Sequence, residues 1–351
     1  MRSCIFLVVL GILTSTSPVL AFPTEFSNSW VCDYVDEVRI TCGLPHSFIM
    51  CGPYARIDLA RSLSGIDCNS IGERIRYDLK LLRQELEPEG RVLSGDSLLI
   101  WTDLSFGVDV ATGKHVVPTS LVRMAVYSQR NVSMWTVFRT SVNDPEDHRV
   151  DVKPWKQRGF ASFEKGGLAL RSGRLTVFAG REEVRWGVDG THGLLFSGAA
   201  PTMDLVRISF QTGSLLFTSI HSKLRHSRFD TWEEGVNRYV SAHRVDFSPR
   251  TGVTIGLSEA VIYGGRGRTF EPGYLNPLML FYAEQWNSRT NDNLFISCDC
   301  SILIPRRLDL RVELLVDDFQ YDFSKPNKYG FGFRCMTSAS IANKFSTLGI
   351  S

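Results

Sequence analysis

The chain has 351 residues, 43% of them hydrophobic, and a formal net charge of +2. The near-balanced charge excludes a strongly basic nucleic-acid-binding face, and the length allows one large domain or two ordinary ones. After Ala21 no run reaches the ~18 apolar residues a membrane-spanning helix requires, which excludes a helical membrane protein but not a β-barrel, whose strands hide in moderate hydropathy.

Met1 to Ala21 (MRSCIFLVVLGILTSTSPVLA) opens with Arg2, continues through an apolar core from Ile5 to Leu13 and ends in Val19-Leu20-Ala21. This is the pattern of a secretory signal peptide, so residues 1–21 are expected to be removed and the mature chain to start at Phe22. Cysteines remain at 32, 42, 51, 68, 298, 300 and 335. Four cluster near the front of an exported chain, where an oxidising compartment favours disulfides. Their spacing matches no zinc template, and neither a metal nor a cofactor is expected.

Residues 22–90 read as an N-terminal segment with short helices. One is expected from about Tyr54 to Leu63. A longer one spans Ser70 to Leu86, with Ile71, Ile75, Leu79, Leu82 and Leu86 at helical spacing. Ser70 and Glu73 have the separation of a capping box, and Pro88 with Gly90 is expected to stop the helix.

From Arg91 to Ser351 the pattern has period two. RRLDLRVELLVDDF places Leu308, Leu310, Val312 and Leu314 opposite Asp309, Arg311 and Glu313. SLLFTSIHSKL sets Leu216, Thr218 and Ile220 against Ser219, His221 and Lys223, and TGVTIGLSEAVIYGG sets Val253, Ile255 and Leu257 against Thr254, Gly256 and Ser258. Turn clusters separate the runs at Asn143-Asp144-Pro145, Arg171-Ser172-Gly173, Thr212-Gly213, 248–252 and 304–307. Many short strands at regular spacing indicate an all-β sandwich or barrel, and periodicity leaves the two open. Aromatics near expected strand ends, including Trp101, Trp135, Tyr263, Phe281, Tyr282 and Trp286, suit interfacial girdles.

Chemical motifs are weak. Gly187-x-x-Gly190-x-x-Gly193 lacks a Lys-Ser or Lys-Thr and leads into Ser197-Gly198-Ala199-Ala200-Pro201, which is loop chemistry rather than a phosphate cradle. Asp317 to Asp322 (DDFQYD) ends a strand, where its aspartates read as a polar turn or lumen cluster. No G-x-S-x-G elbow or H-E-x-x-H occurs. His243 and Arg244 alternate along one strand and so point to opposite faces. Glu259 with Asp317 or Glu313 is a conceivable carboxylate pair, but any acid-rich chain offers such pairs, and no catalysis is expected.

Several segments together resemble the Wzi family of outer-membrane capsule-assembly proteins. They are Gly180-Arg181…Arg185-Trp186-Gly187…Gly193-Leu194-Leu195…Ser197…Ala200-Pro201, then YVSAHRVDFSPRTGVTIGLSEAVIYGGRGRTFEPGYLNPLMLFY, then LVDDFQYD, with PYARIDLARSL and the following helix in front. The resemblance implies an all-β transmembrane barrel of the outer membrane over residues 91–351, preceded by a small helical unit at its periplasmic end. It implies a lectin-like, non-catalytic role with surface polysaccharide, capsular or exopolysaccharide, and outer-membrane lipid as partners. The alternatives are a secreted or periplasmic β-rich carbohydrate-active enzyme, or a solute-conducting pore. Alternation weakens from Cys335 onward and the last residues are Leu348-Gly349-Ile350-Ser351, whereas such barrels commonly end in an aromatic residue; truncation at the C-terminus is therefore an expectation.

The candidate polysaccharide-binding or lumen residues are Arg181, Arg185, Trp186, His192, His243, Glu259, Arg268, Tyr274, Asn276 and Asp317. Arg181 and Arg185 are expected on one strand, facing inward with Glu183, because a charge facing lipid costs about 2–4 kcal/mol near the midplane. The loops 186–201 and 266–274 combine aromatic and polar groups, as sugar recognition requires.

Overall fold

The computed structural model describes residues 30–42, 51–52, 55–67, 71–95, 98–111, 115–128, 131–142, 159–188, 193–198, 200–224, 236–290, 292–317, 330–341 and 344–350. The expected signal peptide, Cys68, Ser70, the Asn143-Asp144-Pro145 turn, His192 and residues 318–322 lie outside them.

Four helices come first: α1 (Trp30–Cys42), α2 (Arg56–Ser64), α3 (Glu73–Glu85) and α4 (Glu87–Ser94), with a two-residue strand β1 (Cys51–Gly52) between the first two. The α1 helix has no counterpart in the sequence reading. Its buried face is Val31, Val35 and Val38, and β-branched residues at helical spacing weaken a helical signal. The α3 helix begins at Glu73 with Gly72 at its N-cap and no side-chain cap bond; the Ser70 half of the expected capping box lies outside the described residues. The helix does end at Glu85, just ahead of Pro88 as expected, but Pro88 also opens a further helix. It sits in the first turn of α4, where the missing N–H would have no helical acceptor.

Among the described residues thirteen strands form one sheet. They are β2 (Leu98–Ala111), β3 (His115–Ser128), β4 (Val132–Val142), β5 (Gly159–Ser172), β6 (Leu175–Glu182), β8 (Met203–Thr212) and β9 (Leu215–Leu224). The sheet continues with β10 (Val236–Arg250), β11 (Val253–Arg266), β12 (Asn293–Ile304), β13 (Leu308–Asp317), β14 (Gly330–Ile341) and β15 (Lys344–Ile350). Each strand pairs antiparallel with the next in this order, while the short β7 (Arg185–Trp186) leaves the wall and pairs with β1. Where sequence alternation weakened, Cys335 to Ile350 still form a hairpin, with Cys335 opposite Ile350 and Ile341 opposite Lys344. The two-face pattern read from the sequence is the pattern of the wall. Asp309, Arg311 and Glu313 are buried on the inner side, and Leu257, Ile255 and Leu314 are exposed on the outer.

The two ends of the wall differ. One end carries the short turns, such as 173–174, 213–214 and 251–252; the other carries the long connections, such as 183–202 and 267–292. Short turns at one end and long loops at the other is the arrangement of outer-membrane barrels, whose short turns are periplasmic. The helical unit is set into the short-turn end. There the Arg306 N–H in the β12–β13 turn donates to the Ile40 carbonyl at 2.9 Å, and Tyr127, next to the end of β3, donates through its hydroxyl to Glu89 at 2.7 Å.

The wall wraps this unit. Helix α4 meets β2 at one margin, while α1 meets β14 at the other, where Met336 joins the core of Val35, Leu59, Leu79 and Leu82. Ile57 and Val92 reach a second core with the inward residues Tyr127, Trp135, Phe178, Ile220 and Ala260. Trp135 thus faces inward rather than joining a girdle. The all-β barrel class and the N-terminal helical unit are as expected, although the unit runs to Ser94, past the boundary placed at 90. No helix among the described residues is long and apolar enough to cross a membrane.

Candidate functional site

The inner face is filled by charged side chains that answer one another. Arg244 on β10 is 0% exposed. Its Nη2 lies 2.6 Å from Asp246 Oδ1 and 2.8 Å from Asp299 Oδ1, and its Nη1 donates to Ser258 at 3.1 Å. Gly256 makes the room, since a Cβ there would fall 1.9 Å from Arg244 Nη2. Two carboxylates and a hydroxyl use most of the guanidinium's donors, the condition under which a buried charge is tolerated.

A second group ties the helical unit to β13. Asp309 binds Arg39 of α1 and, at 2.8 Å, the Nε of Arg311, whose Nη2 reaches Asp36 at 3.1 Å. Burial alone would raise the Asp36 pKa, but the Arg311, Arg39 and Arg185 guanidiniums overcome it and hold the carboxyl below its ordinary range. The third group lies across the lumen. Arg56 of α2 donates to Glu89 at 3.0 Å and Glu85 at 3.1 Å, and Glu85 also meets Arg123 of β3, which reaches Asp103 of β2 at 2.8 Å. Burial pushes the Glu85 carboxyl up and the two arginines more than reverse this, leaving its pKa lowered. In a fourth group Lys165 of β5 sits 3.0 Å from Glu182 and 3.3 Å from Glu183.

The connection after β6 turns into the lumen. Glu313 on β13 accepts the backbone N–H groups of Val188 at 3.2 Å and Leu194 at 3.1 Å. Gly187, at φ 113°, passes so close that a Cβ would fall 2.3 Å from the Glu313 carboxylate. Trp186 is buried with Phe196 edge-on at a centroid distance of 5.0 Å. The candidate loop 186–201 is therefore, over its described residues, part of the packing inside the wall.

The sequence candidates do not converge. Arg185, Trp186 and Asp317 are on the inner side, and Arg185 and Trp186 are buried. Arg181 corrects the expectation. It shares the face of Leu175, Val177 and Ala179, opposite buried Thr176, Phe178 and Glu182, and forms a two-bond pair with Asp204 at 2.8 and 2.9 Å on the outer side. The inward row fails because β6 ends at Glu182 and the chain turns in, so Glu183 and Arg185 no longer alternate with Arg181.

His243 and Glu259 are likewise on the outer side, with Val245, Phe247, Ile255 and Leu257, and Arg244 points the other way as expected. His243 Nε2 lies 3.0 Å from Glu259 Oε2. The connection 267–292 folds over them. It contains α5 (Pro272–Leu275) and α6 (Phe281–Ser288), and the N–H groups of Phe281 and Tyr282 donate to Glu259 at 3.0 and 3.1 Å. Arg268 binds Glu271 at 2.7 Å and Asp292 at 3.0 Å, and the Tyr274 hydroxyl donates to Asp292 at 2.9 Å. Asn276 accepts the Leu278 N–H at 3.1 Å and shapes the turn between the two helices. Arg268 and Tyr274 thus brace this strap internally and also touch the wall, Arg268 at the Gly264 carbonyl and Tyr274 against the Tyr263 ring, while Asn276 acts only within the strap.

Asp299, Arg56, Arg123 and Lys165 were not singled out from sequence, and Arg244 and Asp246 were noted only for their alternation with His243, although Arg244-x-Asp246 is opposite charge at the spacing that shares one strand face. Among the described residues no group of three or more His, Cys, Asp or Glu side chains is placed to hold a metal ion.

No curated protein sequence matches the chain significantly. Among solved structures, the chain is similar to Wzi of Escherichia coli, described as an outer membrane protein involved in group 1 capsule assembly and a carbohydrate binding β-barrel. Sequence identity is 13%, the match covers 91% of this chain and 68% of that one, and the TM-score is 0.55, so the likeness is one of fold. OccAB1 of Acinetobacter baumannii matches with 8% identity over 70% of this chain and 85% of that one, at a TM-score of 0.22 that bears no argument. The family profile described as capsule assembly protein Wzi matches residues 105–332. That span runs from β2 to β14 and holds most of the wall, the inward segment and the outer strap. By this match the chain belongs to the Wzi capsule assembly family.

Proposed function

We propose that this protein is an outer-membrane β-barrel that binds surface polysaccharide, capsular or exopolysaccharide, and retains it at the cell without cutting it. The observation that carries the reading is the filled interior. The helical unit occupies the short-turn end, and the segment around Trp186 occupies the lumen above it, each fixed by ion pairs or backbone bonds to the wall. Such an interior opposes a through-path for solutes and leaves a large polymer the long-connection end of the wall. Family membership supports the same reading, as does the fold shared with a protein described as carbohydrate binding. The charged inner groups saturate one another, which suits bracing better than acid–base work on a substrate.

Cells lacking the protein should still make and export polymer but retain less of it at their surface, and the restored gene should return it. Unchanged retention, or loss of export itself, would overturn the reading.

A further inference from the structure

On β9, β10 and β11 the outer face is not apolar throughout. Toward the long-connection end it carries Ser219, His221, Ser241, His243 and Glu259, all but His243 buried. The hydroxyls and rings answer each other, Ser219 to His221 at 3.1 Å and His221 to Ser241 at 3.0 Å. Polar groups on a lipid-facing wall are costly unless satisfied and covered. Over His243 and Glu259 the cover is the strap, with the Phe281 ring 4.4 Å from His243 and Tyr274, Phe281, Tyr239, Val261, Tyr263 and Leu294 forming one core beneath it.

The strap then presents its own apolar groups outward: Leu278 is 86% exposed, Leu280 66% and Trp286 60%. A short segment on a soluble surface rarely exposes so many large apolar side chains together. Their position supplies the reason. Glu259 is followed toward the short-turn end by Leu257 and Ile255, which begin the exposed apolar belt of the wall. The strap thus continues that belt where the strands' own outer residues are polar. The polar residues Asn287, Ser288 and Arg289 beside Trp286 are exposed too, the mixture expected where a helix lies at the boundary of headgroups and acyl chains.

We propose that residues 266–292 are an interfacial anchor whose Leu278, Leu280 and Trp286 side chains contact the lipid acyl chains of the leaflet at the long-connection end. The proposal rests on the reading of the wall as a membrane-inserted barrel. The strap stands in for strand side chains as the lipid-facing surface of β10 to β12, and its Glu259 attachment seals the polar row from hydrocarbon.

The test uses the full chain and its Trp286→Phe variant in phosphatidylcholine vesicles, with and without brominated acyl chains. Phe keeps a ring beside Tyr282, whose centroid lies 5.2 Å from that of Trp286. A heat-modifiable folded band in the same samples reports insertion. The expected result is that the emission lost in the variant is blue-shifted, that brominated lipid removes most of it, and that aqueous iodide leaves it. If the band shows insertion but iodide quenches Trp286 and brominated lipid does not, the anchor is overturned and the barrel stands. Protection from both quenchers that disappears on dilution would assign the face to a second copy of the chain, and would also overturn it. Absence of the folded band would remove the barrel reading and the anchor together.

Discussion

Arg39 in the first helix and Asp309 in β13 are separated by 270 positions in sequence and joined by a buried ion pair. The pair fixes the helical unit against one flank of the wall, as Glu85 of α3 with Arg123 of β3 does near the opposite flank. Removing one partner of a buried pair typically costs about 3–5 kcal/mol. Asp309 keeps Arg311 at 2.8 Å, so Arg39→Ala should fall near the lower end, about 3 kcal/mol. The measurable outcome is faster proteolysis within residues 30–94 while the wall stays protected. Equal protection of variant and wild type would show that the pair does not hold the unit.

Arg244 should be the more sensitive position. Arg244→Met strands Asp246 and Asp299 without a cation, and Arg244→Lys restores charge but not the fork that spans two carboxylates. Both variants should lower the temperature at which the folded band converts on heating, Met more than Lys. Gly256→Ala should destabilise by about 1–3 kcal/mol through overpacking against the guanidinium. In the Arg244→Ala background the same glycine substitution should cost less, the part that remains coming from Asp299 Oδ1, 2.6 Å from where the Cβ would lie. Additive effects would place the clash elsewhere.

The wall was legible in the sequence because lipid-facing and inner residues must alternate, and LDLRVEL, Leu308 to Leu314, does so without interruption. The helical unit was legible only in part. Leu79 and Leu82 advertise α3, whereas the valines of α1 read equally well as strand. The site was the least legible. Alternation separates His243 from Arg244 but does not say which face the chain later covers, and nothing local to Glu259 announces that residues 267–292 fold back over it. Arg181 was misplaced for a related reason, since the end of β6 at Glu182 is set by the inward turn held by Glu313, more than a hundred residues away.

The strap should depend on Glu259. Its carboxylate accepts the first two N–H groups of α6 and meets His243, and hydrogen bonds to a charged group are worth about 1.5–3 kcal/mol each at most. Glu259→Ala should therefore release residues 266–292 to protease while the heat-modifiable band persists. Glu259→Gln, which keeps an acceptor, should show an intermediate rate. An unchanged digestion pattern in both would remove Glu259 from this role.

Acid should loosen the helical unit. Glu85 has its pKa lowered in the folded protein, since the Arg123 and Arg56 guanidiniums outweigh its burial. Its contribution is present above the unfolded carboxylate value of about 4.3 and is lost as pH falls through the lower folded value. Protease cleavage within residues 30–94 should therefore rise below about pH 4. Glu85→Gln should flatten that part of the profile and raise cleavage at neutral pH. A variant with the wild-type pH profile would show that other groups carry the dependence.

What the plugged barrel implies is retention of an uncut polymer. Its most direct test is incubation of the purified, folded protein with surface polysaccharide from the producing cells, measuring binding and polymer length together. Saturable binding with the length distribution unchanged is the expected result. Shortened chains, or absence of binding accompanied by steady current across a planar bilayer, would contradict it.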